Sequence, residues 1–276
     1  MAAASAHDIR LEIIDRRPRR PRGGPRLLFV HGIAVGAWIW DEHVLPYFAE
    51  AGFEAYAVSL RGHGGSGGHE RIRSWRLSDY VADLDAAAER VGGPLVAIGH
   101  SLGGAVIQDW VRRGARPRAM ALLASVPPWG LALSALRMSL TSPALFREVL
   151  TLSTSGVRHA DPAILRAGLF SEDVPEAVFR RFMARAGEES PLIGPELQGL
   201  PPRAPLPWQA PRSFVLGGAE DRFIPADEVW RTGAYYGARP VIVPRLAHAL
   251  MLEPRWEAAA ASLHDWLVGL PQEEAP

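Results

Sequence analysis

The sequence predicts an α/β protein whose mostly parallel, twisted sheet is flanked by helices and interrupted by an inserted helical cap. Three observations carry this. Apolar runs of strand length alternate with stretches of helical periodicity over residues 1–125 and again over 208–276. Between them, over 126–207, the alternation stops and the apolar pattern is helical, broken by Pro and Gly. At the centre, the run Leu95-Val96-Ala97-Ile98 leads directly into Gly99-His100-Ser101-Leu102-Gly103 and then a helix.

Taken in order, Ile9 to Ile14 alternates like a half-exposed edge strand, and the Pro/Gly-rich Arg16 to Arg26 segment reads as a solvated loop. It is too short and too poor in aromatics to suggest a nucleic-acid patch. Leu27 to Val30 forms a buried strand, followed by the small-residue turn His31-Gly32-Ile33-Ala34-Val35-Gly36-Ala37-Trp38 and a helix from about Asp41 to Ala51. Glycine there lets main chain approach a substrate, so the Ile33 amide is a candidate oxyanion donor and Gly32 a candidate substrate contact. His31, directly after a core strand, reads as a packed structural histidine rather than a base, and Trp38 as core.

The strand Phe53 to Ser59 ends in a loop where glycines 62, 64 and 67 spell Gly-x-Gly-x-x-Gly. A dinucleotide loop must open directly into a helix, whereas here a polar loop runs on to Arg76. The acidic residues downstream, Asp83 and Asp85, fall on a helical stretch and not at a strand end, so the cofactor reading is rejected. Next comes the strand-elbow-helix at Ser101. A strand that turns sharply into a helix strains its corner residue and lifts the side chain clear, and the helix aims free N–H groups, Leu102 first, at whatever sits on Ser101.

After a strand at Ala119 to Ala124, helices are expected over Leu131 to Leu140, Pro143 to Leu152, Pro162 to Leu169 and Val174 to Arg185. Their Leu, Ala, Met and Phe content suits either a lid over an apolar pocket or ordinary helix packing. The core resumes with the strand Ser213 to Gly217, a turn bearing Glu220 and Asp221, the helix Ala226 to Tyr236, the strand Pro240 to Pro244, a loop bearing His248, and a last helix from about Pro254 to Val268, which Glu253 helps to start.

A serine hydroxyl needs a base, and the base needs a carboxylate to fix its tautomer. Ser101, Asp221 and His248 occur in that order, each just past a strand, so a parallel sheet would gather them on one edge. Asp221 is favoured over its neighbour Glu220 as the acid, and His100, beside the nucleophile, is a candidate pocket residue.

At these residues the chain resembles the α/β-hydrolase fold family, in its serine esterase/lipase-like branch with a helical cap. The motifs are His31-Gly32, Arg61-Gly62-His63-Gly64-x-Ser66, Gly99-x-Ser101-x-Gly103, Gly218-x-x-Asp221 and His248. The resemblance implies that Ser101 attacks a carbonyl, that the Ile33 and Leu102 amides hold the oxyanion, and that water releases the acyl-enzyme. One departure from the family's pattern is the short start, which leaves room for one strand before Leu27 where many relatives have a pair, so the first edge strand is expected to be missing. The expected activity is cofactor-free hydrolysis of carboxylic esters of fairly apolar small molecules. Lactonase, thioesterase, C–C bond hydrolase and perhydrolase chemistry on the same triad remain open, as does a non-catalytic ligand-binding relative. Epoxide hydrolases and haloalkane dehalogenases of this fold carry Asp at the elbow, where this chain has Ser101.

Composition narrows the field further. The 30 basic residues, all Arg, balance 30 acidic ones, so no global field favours nucleic acid. The absence of Lys excludes a P-loop, a Schiff base or a Ser-Lys dyad, and the absence of Cys excludes disulfides and thiolate sites. No His-Glu-x-x-His or carboxylate cluster suggests a metal. Met1 to Ile14 carries Asp8 and Glu12 and no apolar signal core, and Pro127-Pro128 and Gly130 break the long uncharged stretch Ala119 to Leu136. These features predict a cytoplasmic protein without a membrane span.

Overall fold

The computed structural model describes residues 9–271, so the stretch 1–8, on which part of the leader reading rests, lies outside it. Along the described chain the elements run β1 (Ile13–Arg16), β2 (Arg26–Val30), α1 (Trp38–Asp41), α2 (Val44–Glu50), β3 (Ala55–Val58), α3 (Leu77–Val91), β4 (Leu95–His100), α4 (Leu102–Arg112) and β5 (Ala119–Leu123). Helices α5 (Ala132–Thr141), α6 (Pro143–Ser155), α7 (Pro162–Leu169), α8 (Glu176–Arg185) and α9 (Ile193–Glu196) follow without a strand. The chain closes with β6 (Arg212–Gly218), α10 (Ala226–Tyr235), β7 (Val241–Val243) and α11 (Trp256–Val268).

The strands form one seven-stranded sheet in the order β1-β3-β2-β4-β5-β6-β7, parallel throughout except for the β1–β3 pair. Period-two alternation buries both faces. Leu27, Phe29, Val96, Ile98, Ala119 and Ala121 point into one apolar cluster, and Leu28, Val30, Leu95, Ala97, Met120 and Leu122 into the other. The resulting α/β-hydrolase architecture is the one the sequence predicts.

Two local expectations are corrected. Pairing of the first strand begins at Ile13, opposite Val58, rather than at Ile9. The preceding residues are engaged by the loop after β3: the Glu12 amide donates to Ser66 Oγ, the Glu12 carboxylate accepts from Ser59 Oγ and the Gly65 amide, and the Arg10 carbonyl accepts from the Gly67 amide. The helix expected over 41–51 is two pieces, α1 and α2, with His43 at φ −137° between them. Pro46 explains the break, since its ring has no N–H for the Glu42 carbonyl and would collide with it in a continuous helix.

The helical stretch between β5 and β6 does not stand apart from the core. Leu152, Val157, Leu165, Phe170, Phe179 and Phe182 join the same buried cluster as Trp38 and Leu250. Leu133, Leu136 and Leu140 on α5 are exposed. No described helix is long and apolar enough to cross a membrane.

What positions Ser101 is the tight seat of the elbow. A Cβ at Gly99 would lie 2.5 Å from the Gly103 carbonyl oxygen, and one at Gly103 would lie 2.4 Å from the Val30 carbonyl oxygen. Both obstacles are backbone, so neither can swing away. Gly103→Ala is therefore expected to lower unfolding stability by about 3 kcal/mol or more, whereas Gly194→Ala, whose Cβ meets only ordinary contacts, should stay within about 0.5 kcal/mol of the parent in urea titration.

Candidate active site

Ser101 follows β4 with φ 52° and ψ −116°, a conformation that a non-glycine residue keeps only when its surroundings impose it. Three main-chain bonds do so. Its N–H donates to the Leu123 carbonyl at 3.1 Å, and its carbonyl accepts from the amides of Gly104 at 3.1 Å and Val126 at 3.2 Å. The side chain stands partly exposed, and Oγ makes no hydrogen bond among the described residues. The same backbone strain recurs around it. The four non-glycine residues with positive φ among the described residues, Ala34, Ser101, Ala124 and Arg245, all lie just beyond the C-terminal end of a strand.

The turn after β2 meets the elbow at close quarters. A Cβ on Gly32 would come within 2.8 Å of His100 Nδ1 and 3.2 Å of Ser101 Cβ, so only glycine lets this main chain pass. His31 is a satisfied core residue, as its position after a strand suggested: Nδ1–H donates to the Gly32 carbonyl at 2.7 Å and Nε2 accepts from the Leu60 amide at 2.9 Å. The Ile33 and Leu102 amides find no acceptor among the described residues. Ala34, by contrast, is fully engaged. At φ 58°, it donates its N–H to Glu189 Oε2 at 3.2 Å and accepts at its carbonyl from the Gly187 amide at 2.8 Å.

Asp221 and His248 come together across the ends of β6 and β7. One carboxylate oxygen of Asp221 accepts the amides of Phe223 at 2.8 Å and Ile224 at 2.9 Å, and the other lies 2.8 Å from His248 Nδ1. That bond places the ring proton on Nδ1 and leaves Nε2 an acceptor, with no partner of its own among the described residues. Glu220, the rival acid, is exposed. His248 is held from both sides: its ring packs 4.8 Å from His100 and 4.9 Å from Phe223, and its carbonyl accepts from His100 Nε2 at 2.9 Å. The contacts of His100 thus carry His248 to the neighbour of Ser101, although no hydrogen bond joins the Ser101 hydroxyl to His248.

Two other carboxylates have roles that differ from the sequence reading or escape it. Glu253 does not serve α11 with its side chain, which is buried and accepts from the Ser171 amide at 2.8 Å and from the Ser171 hydroxyl, tying the His248 loop to the helical stretch. Glu189 gave no sequence signal. Wholly buried, it accepts from Tyr80 Oη at 2.5 Å, from its neighbour Ser190 and from the Ala34 amide, and it faces His63 Nε2 at 3.2 Å. Asp83 is likewise accounted for, gripping Arg61 through the main-chain amide and the guanidinium. The glycine-rich loop leads into a single 3₁₀ stretch, His69–Ser74, and not into an α-helix that could hold a pyrophosphate.

Electrostatics separate the histidines. Burial opposes charge on His63, but the Glu189 carboxylate outweighs it, helped by the Arg61 carbonyl and Asp83, and holds the imidazole above its ordinary value. The Glu189 carboxyl is penalised by burial too, yet the His63 cation and its donors keep it below the usual carboxylate range. His31 is pushed down to about 3 by burial and by His63, and burial together with His248 takes His100 well below the normal range. A cavity of about 590 Å³ is lined by Ala34, Trp38, His63, Arg185 and Gly187 but not by Ser101, Asp221 or His248. Among the described residues no group of three or more Asp, Glu, His or Cys is placed to hold a metal.

Comparison with known proteins agrees with this architecture. A profile of the Alpha/beta hydrolase family matches residues 27–261. Lipase LipV of Mycobacterium tuberculosis is 34% identical over 160 residues, 56% of this chain and 54% of that protein. Epoxide hydrolase A of the same organism is 34% identical over 86 residues, 31% of this chain and 26% of that protein. The match thus spans about half the length of the first of these relatives and about a quarter of the second. A thermophilic esterase from Thermogutta terrifontis superposes with a TM-score of 0.73 over 98% of this chain and 97% of its own, at 19% identity, a likeness of fold.

The buried histidines give this arrangement a pH signature. At pH 6.5, long-range 1H–15N correlation spectra should show a protonated His63 ring, while His31 and His100 remain neutral. The sign for stability follows. Between about pH 3 and the ordinary histidine value, the unfolded chain protonates His31 and the folded one does not, so acidification through this window is expected to destabilise the protein. The His63 contribution has the opposite sense, present at low pH and lost as pH rises through its raised value.

Proposed function

The chain belongs to the alpha/beta hydrolase family, and within it we propose that it is a serine hydrolase, cleaving carboxylic esters of fairly apolar small molecules through an acyl-enzyme on Ser101. The observation that carries this reading is the 2.8 Å bond between Asp221 and His248 Nδ1, which leaves Nε2 basic beside the strained elbow bearing Ser101. A buried aspartate so placed does not take the proton. It fixes the tautomer and stabilises the imidazolium that forms when His248 accepts a proton.

In the proposed reaction, Ser101 Oγ attacks the ester carbonyl while its proton passes to His248 Nε2. The tetrahedral oxyanion is met by the Ile33 and Leu102 amides, both without an acceptor among the described residues, the second at the N-terminus of α4. Collapse expels the alcohol, which takes the proton from His248. Water then attacks the acyl-enzyme with His248 again as base, returning a carboxylic acid and free Ser101. Atoms and protons balance without a cofactor. Gly32 and His100 are assigned here to the substrate-facing wall, with Gly32 providing room and His100 setting the position of His248.

Residues 126–207 are read as a cap between the core parts 1–125 and 208–276. Support comes from its contacts with both site loops: Gly187 and Glu189 reach Ala34, and the Leu169 carbonyl accepts from the Ala249 amide at 2.8 Å, beside His248. The family also includes proteins named epoxide hydrolase, but Ser101 rather than Asp at the elbow supports the acyl route.

Ser101→Ala and His248→Ala are each expected to abolish most hydrolysis of p-nitrophenyl esters with circular dichroism unchanged. Asp221→Asn should keep the fold and slow kcat by about 10³- to 10⁴-fold. Parent-like turnover in Asp221→Asn would move the acid role elsewhere. A parallel panel of lactones, thioesters and diketones, run alongside p-nitrophenyl esters of rising chain length, separates the ester reading from its relatives on the same triad, and an ester optimum is the expected result.

A further inference from the structure

The Ile33 amide can stabilise an oxyanion only if the peptide plane that carries it is held still, because a donor displaced by an ångström loses most of its value. One side of that plane, the Gly32 carbonyl, is held by His31 Nδ1–H at 2.7 Å, and the other runs on through Ile33. The next residue, Ala34, sits at φ 58°, where alanine costs on the order of 1–3 kcal/mol relative to its ordinary conformations. What keeps Ala34 there comes from far along the chain. The Gly187 amide donates to its carbonyl at 2.8 Å and Glu189 Oε2 accepts its N–H at 3.2 Å, across 155 positions of sequence.

We propose that Glu189 is a positioning residue for the oxyanion turn, fixing Ala34 in its left-handed conformation and thereby aiming the Ile33 amide at the carbonyl of a substrate bound on Ser101. This rests on the serine-hydrolase reading above. It also explains which amide serves: the N–H of Ala34 is consumed by the carboxylate, and the N–H of Ile33 is left free.

The chemistry of the site suits a carboxylate and little else. Glu189 has four neighbours able to donate: the Ala34 amide and His63 Nε2 at one oxygen, and the Ser190 amide and Tyr80 hydroxyl at the other. An ionised carboxylate accepts at both ends. Glutamine, which has the same shape, must turn an NH₂ toward one pair or the other and leave donor facing donor. Nor does the charge stand alone beside the oxyanion, since His63 Nε2 faces it at 3.2 Å and the pairing favours both the protonated imidazole and the ionised carboxylate. The anchors are themselves rigid. Tyr80 belongs to α3, and His63 follows Arg61, which Asp83 grips at 2.6 Å. The helical stretch therefore acts on the site through the backbone of the turn as well as through any side chain it lends to a pocket.

The test compares parent and Glu189→Gln. Hydrolysis of a p-nitrophenyl ester by the parent, abolished by Ser101→Ala, is measured first; without it the serine-hydrolase reading fails, and this proposal with it. Given that activity, Glu189→Gln is expected to lower kcat by about 10- to 100-fold with KM changed less than about threefold. Binding of a trifluoromethyl ketone, whose adduct carries an oxyanion, should weaken by a similar factor, while binding of the matching secondary alcohol, which carries none, should hold. Equal loss for both ligands, or a lowered melting temperature with kcat unchanged, would show a merely structural role and overturn the proposal. Should Glu189→Gln fail to fold, Gly187→Pro decides. It removes the other bond to Ala34 at a position where an added Cβ meets open space, and a selective loss of ketone binding supports the clamp while parent-like selectivity refutes it.

Discussion

The structure depends on one backbone constraint, the left-handed conformation of Ser101 between β4 and α4. A strand leaving the middle of a parallel sheet can enter a helix this abruptly only if the corner residue is strained and the residues two places to either side, here Gly99 and Gly103, have no side chains. The strain is held by three main-chain hydrogen bonds, from the ends of two neighbouring segments, 123–126 and the start of α4. Those bonds exist because β4 lies between β2 and β5 in the sheet, with registers that bring Val30 beside Gly99 and Leu123 beside His100. Sheet order, strand register and the exposed hydroxyl are thus aspects of a single arrangement.

Strain is not confined to the elbow. Ala34, Ala124 and Arg245 share it, beyond the ends of β2, β5 and β7, so several points along the carboxyl edge of the sheet hold main chain in conformations that cost about 1–3 kcal/mol each. The large two-sided core supplies the stability from which these costs are met, and the polar groups at the edge are correspondingly well satisfied. His31, Asp221, Glu189, Glu253 and the Arg61–Asp83 pair each have close partners. Among the described residues the Ser101 hydroxyl, His248 Nε2 and the Ile33 and Leu102 amides find no partner and are the groups the proposed chemistry uses, while the buried His100 Nδ1 is also unpartnered.

Much of this was legible in the sequence because it is local. The buried runs at Leu27, Leu95 and Ala119, the glycines around Ser101, and the order Ser101, Asp221, His248 are short-range signals, and the strands fall where those signals place them. Helix α7 begins at Pro162 and ends at Leu169, the bounds its pattern predicts. Asp221 and His248, placed past β6 and β7, are joined by a hydrogen bond of 2.8 Å. What escaped was set by distant partners. The shifted start of β1 follows from the grip of the 59–67 loop on Glu12, and the partner of Glu253 is Ser171, 82 positions away. No periodicity marks Glu189, because its significance arises only when α3, the His63 loop and the turn after β2 converge on it. The break at Pro46 was readable, since proline at that point cannot continue a helix.

The central claim is that Ser101 is a nucleophile activated by His248. Reaction of the purified chain with a fluorophosphonate, followed by intact-mass measurement and peptide mapping, tests it directly. The account expects one phosphonyl group per chain, located on the peptide containing Ser101, and no adduct when His248 is replaced by Ala. An unmodified chain, or an adduct on a different residue, would contradict it.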